Sequence, residues 1–242
     1  MRILVVNSNT TPAVTDRIEA AARAAASPGV EIEAVTAPFG LPLIVSRADW
    51  LVAGQATLAA LAERRGQYDA AVIACFGDPG LDAAKELLDV PVLGISEAAF
   101  HAACMLGRRF GVVSFTTALR PMFEDCLAHH GLTARCTGFR MGPPFTGDPG
   151  RVAEERAELL VSLCEEAIEQ DGAEVLILAG GPLAGLAPVL APRVAVPLVD
   201  GTTAAVRLAE AMVGLAPPGR PRRVRARSLT GFGEELARLY GG

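Results

Sequence analysis

Cys75 is the residue whose type and place suit it best to chemistry. In Asp69-Ala-Ala-Val-Ile-Ala-Cys75-Phe-Gly-Asp-Pro-Gly80, the apolar run Val72 to Ala74 reads as a buried strand. Gly77, Pro79 and Gly80 then mark a tight turn, and Leu81 to Leu88 reads as a helix. Cys75 therefore lies at the carboxyl end of a strand, just before a helix. Open α/β sheets bind ligands there, and helix N-termini lower thiol pKa values. A buried structural cysteine fits the same place, because free Cys is among the most buried residue types. Two polar turns also qualify. Asn7-Ser-Asn-Thr-Thr11 follows the β-type run Arg2 to Val6, and Ser114-Phe-Thr-Thr117 closes a run that begins at Arg109. Hydroxyls and backbone N–H groups that open helices suit a carboxylate or an imide. Ordinary capping is the reading favoured for Thr11 and Thr117, and ligand contact for Ser8, Asn9 and Thr116, with Thr10 beside them.

The remaining cysteines are Cys104, Cys126, Cys136 and Cys164. The count is odd and no C-x-x-C pair occurs, so a disulfide framework is not expected. His101, His129 and His130 form no metal-spaced cluster with them, and neither a metal site nor a cofactor is expected. The four are read as packing residues inside helices or a strand.

The elements that must hold these groups alternate. After the first strand, Ala13 to Ala26 reads as an Ala-rich helix with Thr11 as cap and Pro12 at its first position. A strand over 30–37, a loop from Pro38 to Leu43 and a helix over 48–65 lead to the Cys75 strand. The helix over 81–88 and the strand Pro91-Val-Leu-Gly-Ile95 follow. This is βαβαβαβ, the pattern of a parallel sheet covered by helices. A helix over 96–106 carries the chain onward. The same order returns: strand 109–115, helix 119–130, strand 133–141, loop 142–150, helix 151–170, strand 174–179, short helix 183–190, strand 196–199 and helix 202–215. A last helix is expected over 233–239.

The second half repeats the first in residues as well as order. Val5 to Thr11 overlays Gly111 to Thr117, which places Ser8, Thr10 and Thr11 on Ser114, Thr116 and Thr117, and Phe115 where Asn9 stands. Ile73-Ala-Cys75-Phe-Gly overlays Leu178-Ala-Gly180-Gly-Pro182, so Gly180 is the counterpart of Cys75. The expected fold class is α/β. Two similar lobes, each a short, mostly parallel sheet flanked by helices, are related by a pseudo-twofold, with the active site in the cleft between them. The lobes are expected at 1–98, joined by the C-terminal segment 204–242, and at 99–203.

Composition narrows the function. At 242 residues the chain can bury a sizeable core, and its apolar half is mostly Ala, Val and Leu. Charges interrupt every apolar stretch before the roughly 18–20 residues that span a membrane. The polar turn straight after Val6 argues against a signal peptide, and a cytoplasmic protein is expected. The net charge of −5 speaks against nucleic acid. The basic run Arg220-Pro-Arg-Arg-Val-Arg-Ala-Arg227 reads as a solvated connector.

Five stretches resemble the aspartate/glutamate/hydantoin racemase superfamily, hydantoin racemases in particular. They are Val6-Asn-Ser-Asn-Thr-Thr11, Ala74-Cys-Phe-Gly-Asp-Pro-Gly-Leu81, Ser114-Phe-Thr-Thr117, Gly180-Gly-Pro-Leu-Ala-Gly-Leu186 and Val196-Pro-Leu-Val-Asp-Gly201. The resemblance implies cofactor-independent proton transfer at a carbon beside a carbonyl, and a homo-oligomer. Racemases of this kind use one cysteine from each lobe. Cys75 matches the first position. The second falls on Gly180, or on Gly181 if the turn is aligned one residue later. Arylmalonate decarboxylases in the superfamily use a single cysteine, but of the other lobe.

Three readings follow. The first is a racemase or epimerase of a hydantoin-like or amino-acid-like substrate, a small carboxylate or cyclic imide, with Cys75 as acid/base. The second is a single-cysteine decarboxylase or isomerase, including covalent attack by Cys75 as in maleate-isomerase-like relatives. The third is a binding protein that kept the cleft without turnover. In the enzymatic readings the N–H groups of Phe76, Gly77, Gly180 and Gly181 form an oxyanion site, with Pro182 beside them. Phe39, Phe76, Phe115 and Phe145 are candidates for an apolar pocket wall.

Overall fold

The structure, a computed structural model, describes residues 1–215 and 228–241; the basic run 220–227 lies outside the described residues. The chain forms two four-stranded sheets of identical topology, β2-β1-β3-β4 and β6-β5-β7-β8, and every pairing is parallel. The first holds β1 (Arg2–Asn7), β2 (Glu31–Thr36), β3 (Ala70–Ile73) and β4 (Val92–Gly94). The second holds β5 (Phe110–Ser114), β6 (Cys136–Met141), β7 (Val175–Leu178) and β8 (Leu198–Asp200). The strands β1, β3, β5 and β7 are the Val/Ile/Leu/Ala runs. All but the terminal Arg2 of β1 are buried, as strands covered on both faces must be.

Helices α1 (Pro12–Ala25), α2 (Arg47–Glu63), α3 (Leu81–Leu87) and α4 (Ile95–Leu106) cover or leave the first sheet. Helices α5 (Arg120–His129), α6 (Val152–Glu169) and α7 (Ala187–Leu190) serve the second. The expected helix over 183–190 is shorter. A 3-10 turn holds 181–183, and Gly185 at φ 76° separates it from α7. Helix α8 (Gly201–Leu215) packs on α1 and α4. Helix α9 (Glu234–Gly241) lies on α2, where Leu236 and Leu239 join Leu58, Leu61 and Leu81 in one apolar cluster.

Strand hydrogen bonding corrects the overlay of the two halves at the polar turns. Val6 pairs with Ile73, and Val113 pairs with Leu178. Ile73 and Leu178 are equivalent, so Val6 corresponds to Val113. The bonds from Ala74 N to Val6 O and from Ala179 N to Val113 O agree, as do those from Ala37 N to Asn7 O and from Gly142 N to Ser114 O. Equivalent pairs are therefore Asn7 with Ser114, Ser8 with Phe115, Asn9 with Thr116 and Thr10 with Thr117. Matching like residue types, Ser on Ser and Thr on Thr, shifts the overlay by one position.

The turn after β3 is held by a buried carboxylate. Asp78 has φ 50°, a left-handed conformation that Asp tolerates. Its Oδ1 and Oδ2 accept from Ser96 N at 2.9 Å and Glu97 N at 2.8 Å, at the start of α4. A Cβ on Gly94 would lie 2.0 Å from the Asp78 carboxyl carbon, so the cap requires glycine there. In the second sheet the roles exchange. Asp200, at the place of Gly94, accepts from Gly185 N and Thr203 N. Gly94→Ala is expected to push Asp78 off the helix and cost about 2–4 kcal/mol, from lost charged hydrogen bonds and overpacking. Thermal unfolding should fall by roughly 5–15 °C. An unchanged melting temperature would show that the cap contributes little.

Candidate active site

Cys75 follows β3 and Gly180 follows β7, and the two strand ends meet across the cleft. Both line one small cavity of about 20 Å³, together with Asn9, Phe76, Gly181 and Pro182. That is room for about one water molecule. Leu43 and Ile44, from the loop before α2, and Phe115 and Phe123 close it. A substrate ring is larger than this space and enters only if the wall opens; Leu43 and Ile44 belong to the loop over 37–46, outside the regular elements.

The thiol is not poised as a thiolate. Burial, with the Asp78 carboxylate adding to it, pushes the Cys75 pKa up to about 12. This corrects the expectation of a thiol acidified by a helix N-terminus. The turn uses Asp78, Pro79 and Gly80 before α3 begins at Leu81, so the helix end is too far away, while the nearest charge is negative. Deprotonated Cys75 therefore needs help from a ligand or from N–H groups brought to it.

The expected site residues divide. Asn9, Cys75, Phe76, Gly180, Gly181 and Pro182 line the cavity. Ser8 is buried, and its hydroxyl accepts from Thr57 Oγ1 at 2.8 Å. Gly77 N is engaged by Ser96 Oγ at 2.6 Å, and Gly77 O accepts from Trp50 Nε1, so Gly77 has no donor left for an oxyanion. Among the described residues, no hydrogen bond takes the N–H groups of Phe76, Gly180 or Gly181. Thr10 N and Thr117 N, at equivalent places, donate to Leu41 O and Gly142 O. Thr11 stands at the N-cap of α1 without a side-chain cap; its hydroxyl donates to Pro42 O. Thr117 opens a 3-10 turn after Thr116, whose side chain does not cap it. The Thr116 hydroxyl is buried and, among the described residues, has no partner.

Two residues escaped the sequence reading. Asn7 fastens the first polar turn: its Nδ2 donates to Asn9 Oδ1 and Thr15 Oγ1 at 3.0 Å, and its Oδ1 accepts from Asn9 N. Phe123, on α5 of the second half, packs on Phe76 with ring centres 4.6 Å apart. Asn7 was visible as part of a polar turn; Phe123 carried no local signal. Of the four phenylalanines expected at the pocket, Phe76 and Phe115 line it. Phe145 backs Phe115 edge-on, and Phe39 is exposed.

The glycine opposite Cys75 is built into the backbone. Gly180 has φ 133° and ψ 133°, a region that L side chains rarely adopt. A Cβ there would lie 3.2 Å from Phe115 Cε1.

The sequence profile of the family described as Asp/Glu/Hydantoin racemase matches residues 3–209, nearly the whole of both sheets. The chain belongs to the Asp/Glu/hydantoin racemase family. It is 38% identical to a hydantoin racemase from Pseudomonas sp. (strain NS671) over 217 residues, 89% of this chain and 87% of that protein. The fold superposes on the allantoin racemase from Klebsiella pneumoniae with a TM-score of 0.89 at 35% identity, covering 98% of each chain. An arylmalonate decarboxylase shares the fold alone, at 18% identity and a TM-score of 0.63 over 99% of each chain. Membership of the racemase family makes this chain an enzyme of the racemase type, with the α/β fold of paired four-stranded parallel sheets. No helix among the described residues is long and apolar enough to cross a membrane.

Proposed function

We propose that this family member moves a proton at the ring carbon beside a carbonyl of a small, neutral cyclic ureide of the hydantoin or allantoin class, with Cys75 as the acid/base group. The observation that carries the substrate class is the cavity wall, which holds no charged side chain among the described residues. An amino-acid substrate brings a carboxylate and an ammonium, and burying either without a partner is costly. A hydantoin ring brings only N–H and C=O groups. The similar hydantoin and allantoin racemases support the same class.

In this reading the Cys75 thiol gives its proton to solvent as the ligand binds, and the resulting thiolate takes the hydrogen from one face of the ring carbon, becoming a thiol again. The electron pair moves onto the neighbouring carbonyl oxygen, which the N–H groups of Phe76, Gly180 and Gly181 receive. Asn9 Oδ1 is committed to Asn7 and to Thr11 N, so its Nδ2 is the end left to donate to the ring. The Thr116 hydroxyl serves from the equivalent turn. The opposite face meets Gly180, which has no proton to give, and solvent returns that proton. Inversion by this route is one-sided at the protein.

Racemisation in D₂O tests the proposal. Enantiopure 5-substituted hydantoins and allantoin are offered, with amino acids and arylmalonates alongside, while optical rotation, deuterium and CO₂ are followed. Racemisation of the ureides is expected, with deuterium entering recovered substrate as well as product, because one thiol exchanges the proton it removed. Deuterium confined to product would point to a second protein acid. The same Gly180 favours a second reading, one-sided protonation after loss of CO₂. Release of CO₂ from malonates with a single product enantiomer, and no ureide turnover, would establish that reading instead.

A further inference from the structure

Behind the Cys75 turn, the structure brings together three side chains that are scattered in sequence. Cys126 lies in the last turns of α5 and His130, four positions on, is the residue that caps its C-terminus, so both stand on one side of the helix end. Asp78, from the turn after β3, meets them from the other sheet. One atom from each, a carboxylate oxygen, the thiol sulfur and an imidazole nitrogen, all lie within 4.8 Å of one another. Asp78 Oδ2 is 3.7 Å from His130 Nε2. The His130 side chain is only 9% exposed, yet among the described residues Nε2 has no hydrogen-bond partner. A buried imidazole nitrogen left unpaired in this way is unfavourable unless something else occupies it.

We propose that Asp78, Cys126 and His130 form a binding site for a borderline-soft divalent cation of the zinc class, separate from the catalytic thiol and bridging the two halves of the molecule.

The donor set is the ground for the choice of ion. Thiolate, imidazole and carboxylate together are zinc ligands, whereas hard cations prefer oxygen alone. Around a tetrahedral zinc ion such ligand atoms stand roughly 3.2–3.8 Å apart, so even the widest pair needs to close by no more than about 1–1.6 Å. Asp78 is already oriented by the α4 N–H groups of Ser96 and Glu97, the outer-shell support that a ligating carboxylate requires. Each carboxylate oxygen accepts more than one contact, so Oδ2 can keep Glu97 N and take a cation as well. On binding, the Cys126 sulfur exchanges its proton for the metal, and the proton leaves to solvent.

Access and the fourth position come from a cavity of about 990 Å³. Asp78, Cys126 and His130 all line it, and Trp50, Phe232 and Tyr240 form part of its outer wall. Three protein ligands with an open position facing a cavity is the arrangement of an accessible site rather than a closed structural one. His129 at the mouth is held by Asp82, with Nε2 to Oδ2 at 2.9 Å, and is not needed as a ligand.

The test uses the full-length protein stripped with a chelator and titrated with Zn²⁺ by calorimetry and with Co²⁺ by absorbance. One equivalent is expected, with a cobalt–thiolate charge-transfer band in the near ultraviolet. Cys126→Ser should abolish the band. His130→Ala, which removes no hydrogen bond and should leave the fold intact, should weaken binding beyond the roughly 10–100-fold that loss of an outer-shell partner causes. Cys75→Ser should leave stoichiometry and affinity as they were. The proposal is overturned by absent or clearly substoichiometric binding, by binding that survives both Cys126→Ser and His130→Ala, or by binding lost with Cys75→Ser. None of these outcomes depends on which substrate the enzyme takes.

Discussion

Cys75→Ser is expected to lower kcat for ureide racemisation by about 10²–10⁴-fold, the loss that follows removal of a positioned acid or base. A hydroxyl fills nearly the same volume, but it ionises far too weakly to take a carbon-bound hydrogen. The side chain makes no strong hydrogen bond: its Sγ reaches only Phe76 O, at 3.9 Å. The fold should therefore be unaffected, with thermal unfolding within a degree or two of wild type. Deuterium exchange into recovered substrate should fall in parallel with racemisation, since both begin with the same proton removal. If exchange and racemisation persist at the wild-type rate in Cys75→Ser, the thiol is not the base.

Gly180→Cys is the converse experiment. A thiol opposite Cys75 would offer the proton that the other face lacks. Racemisation should rise by about tenfold or more, below the 10²–10⁴ of a well-aimed acid. The shortfall comes from the backbone. With φ at 133° and Phe115 Cε1 at 3.2 Å from the new Cβ, the turn must deform. The strain should cost about 1–3 kcal/mol. The isotope pattern should change too, towards deuterium in product ahead of recovered substrate, as two acids on two faces require. No gain in rate from Gly180→Cys, nor from Gly181→Cys, whose Cβ would lie 3.1 Å from Ala74 O, would refute the pairing of the two strand ends.

The two halves of this protein differ in ways that bear on both experiments. Phe115 occupies the place of Ser8, so one wall of the cleft is aromatic where the other has a hydroxyl tied to Thr57. Asp78 and Asp200 cap their turns from opposite partners of the same pair of positions. Duplicated elements thus kept the backbone path while exchanging which residue supplies each polar group.

The order and type of the elements were legible because each sheet is parallel and covered. Its strands read as short apolar runs, its helices as amphipathic segments between them, and Gly and Pro mark the turns. The address of Cys75 and its pairing with Gly180 followed from the repeat. The polar turns were legible as a region but not by residue, since similar side chains in a run such as Asn7-Ser-Asn-Thr-Thr11 can be matched one place off. The hydrogen bonds between strands fix that place, and they are not written in residue type.

What the sequence determined by itself is the α/β repeat, the family and the place of Cys75 at a strand end, all of which rest on local pattern. Only the tertiary structure decided which turn N–H groups remain unbonded among the described residues and that burial beside Asp78 raises the pKa of the Cys75 thiol. It also decided that Cys126 and His130 of one half meet Asp78 of the other. Each of these depends on groups far apart in the chain arriving at one place. Burial, charge and unpaired polar atoms arise from that arrival, and no spacing along the sequence encodes them.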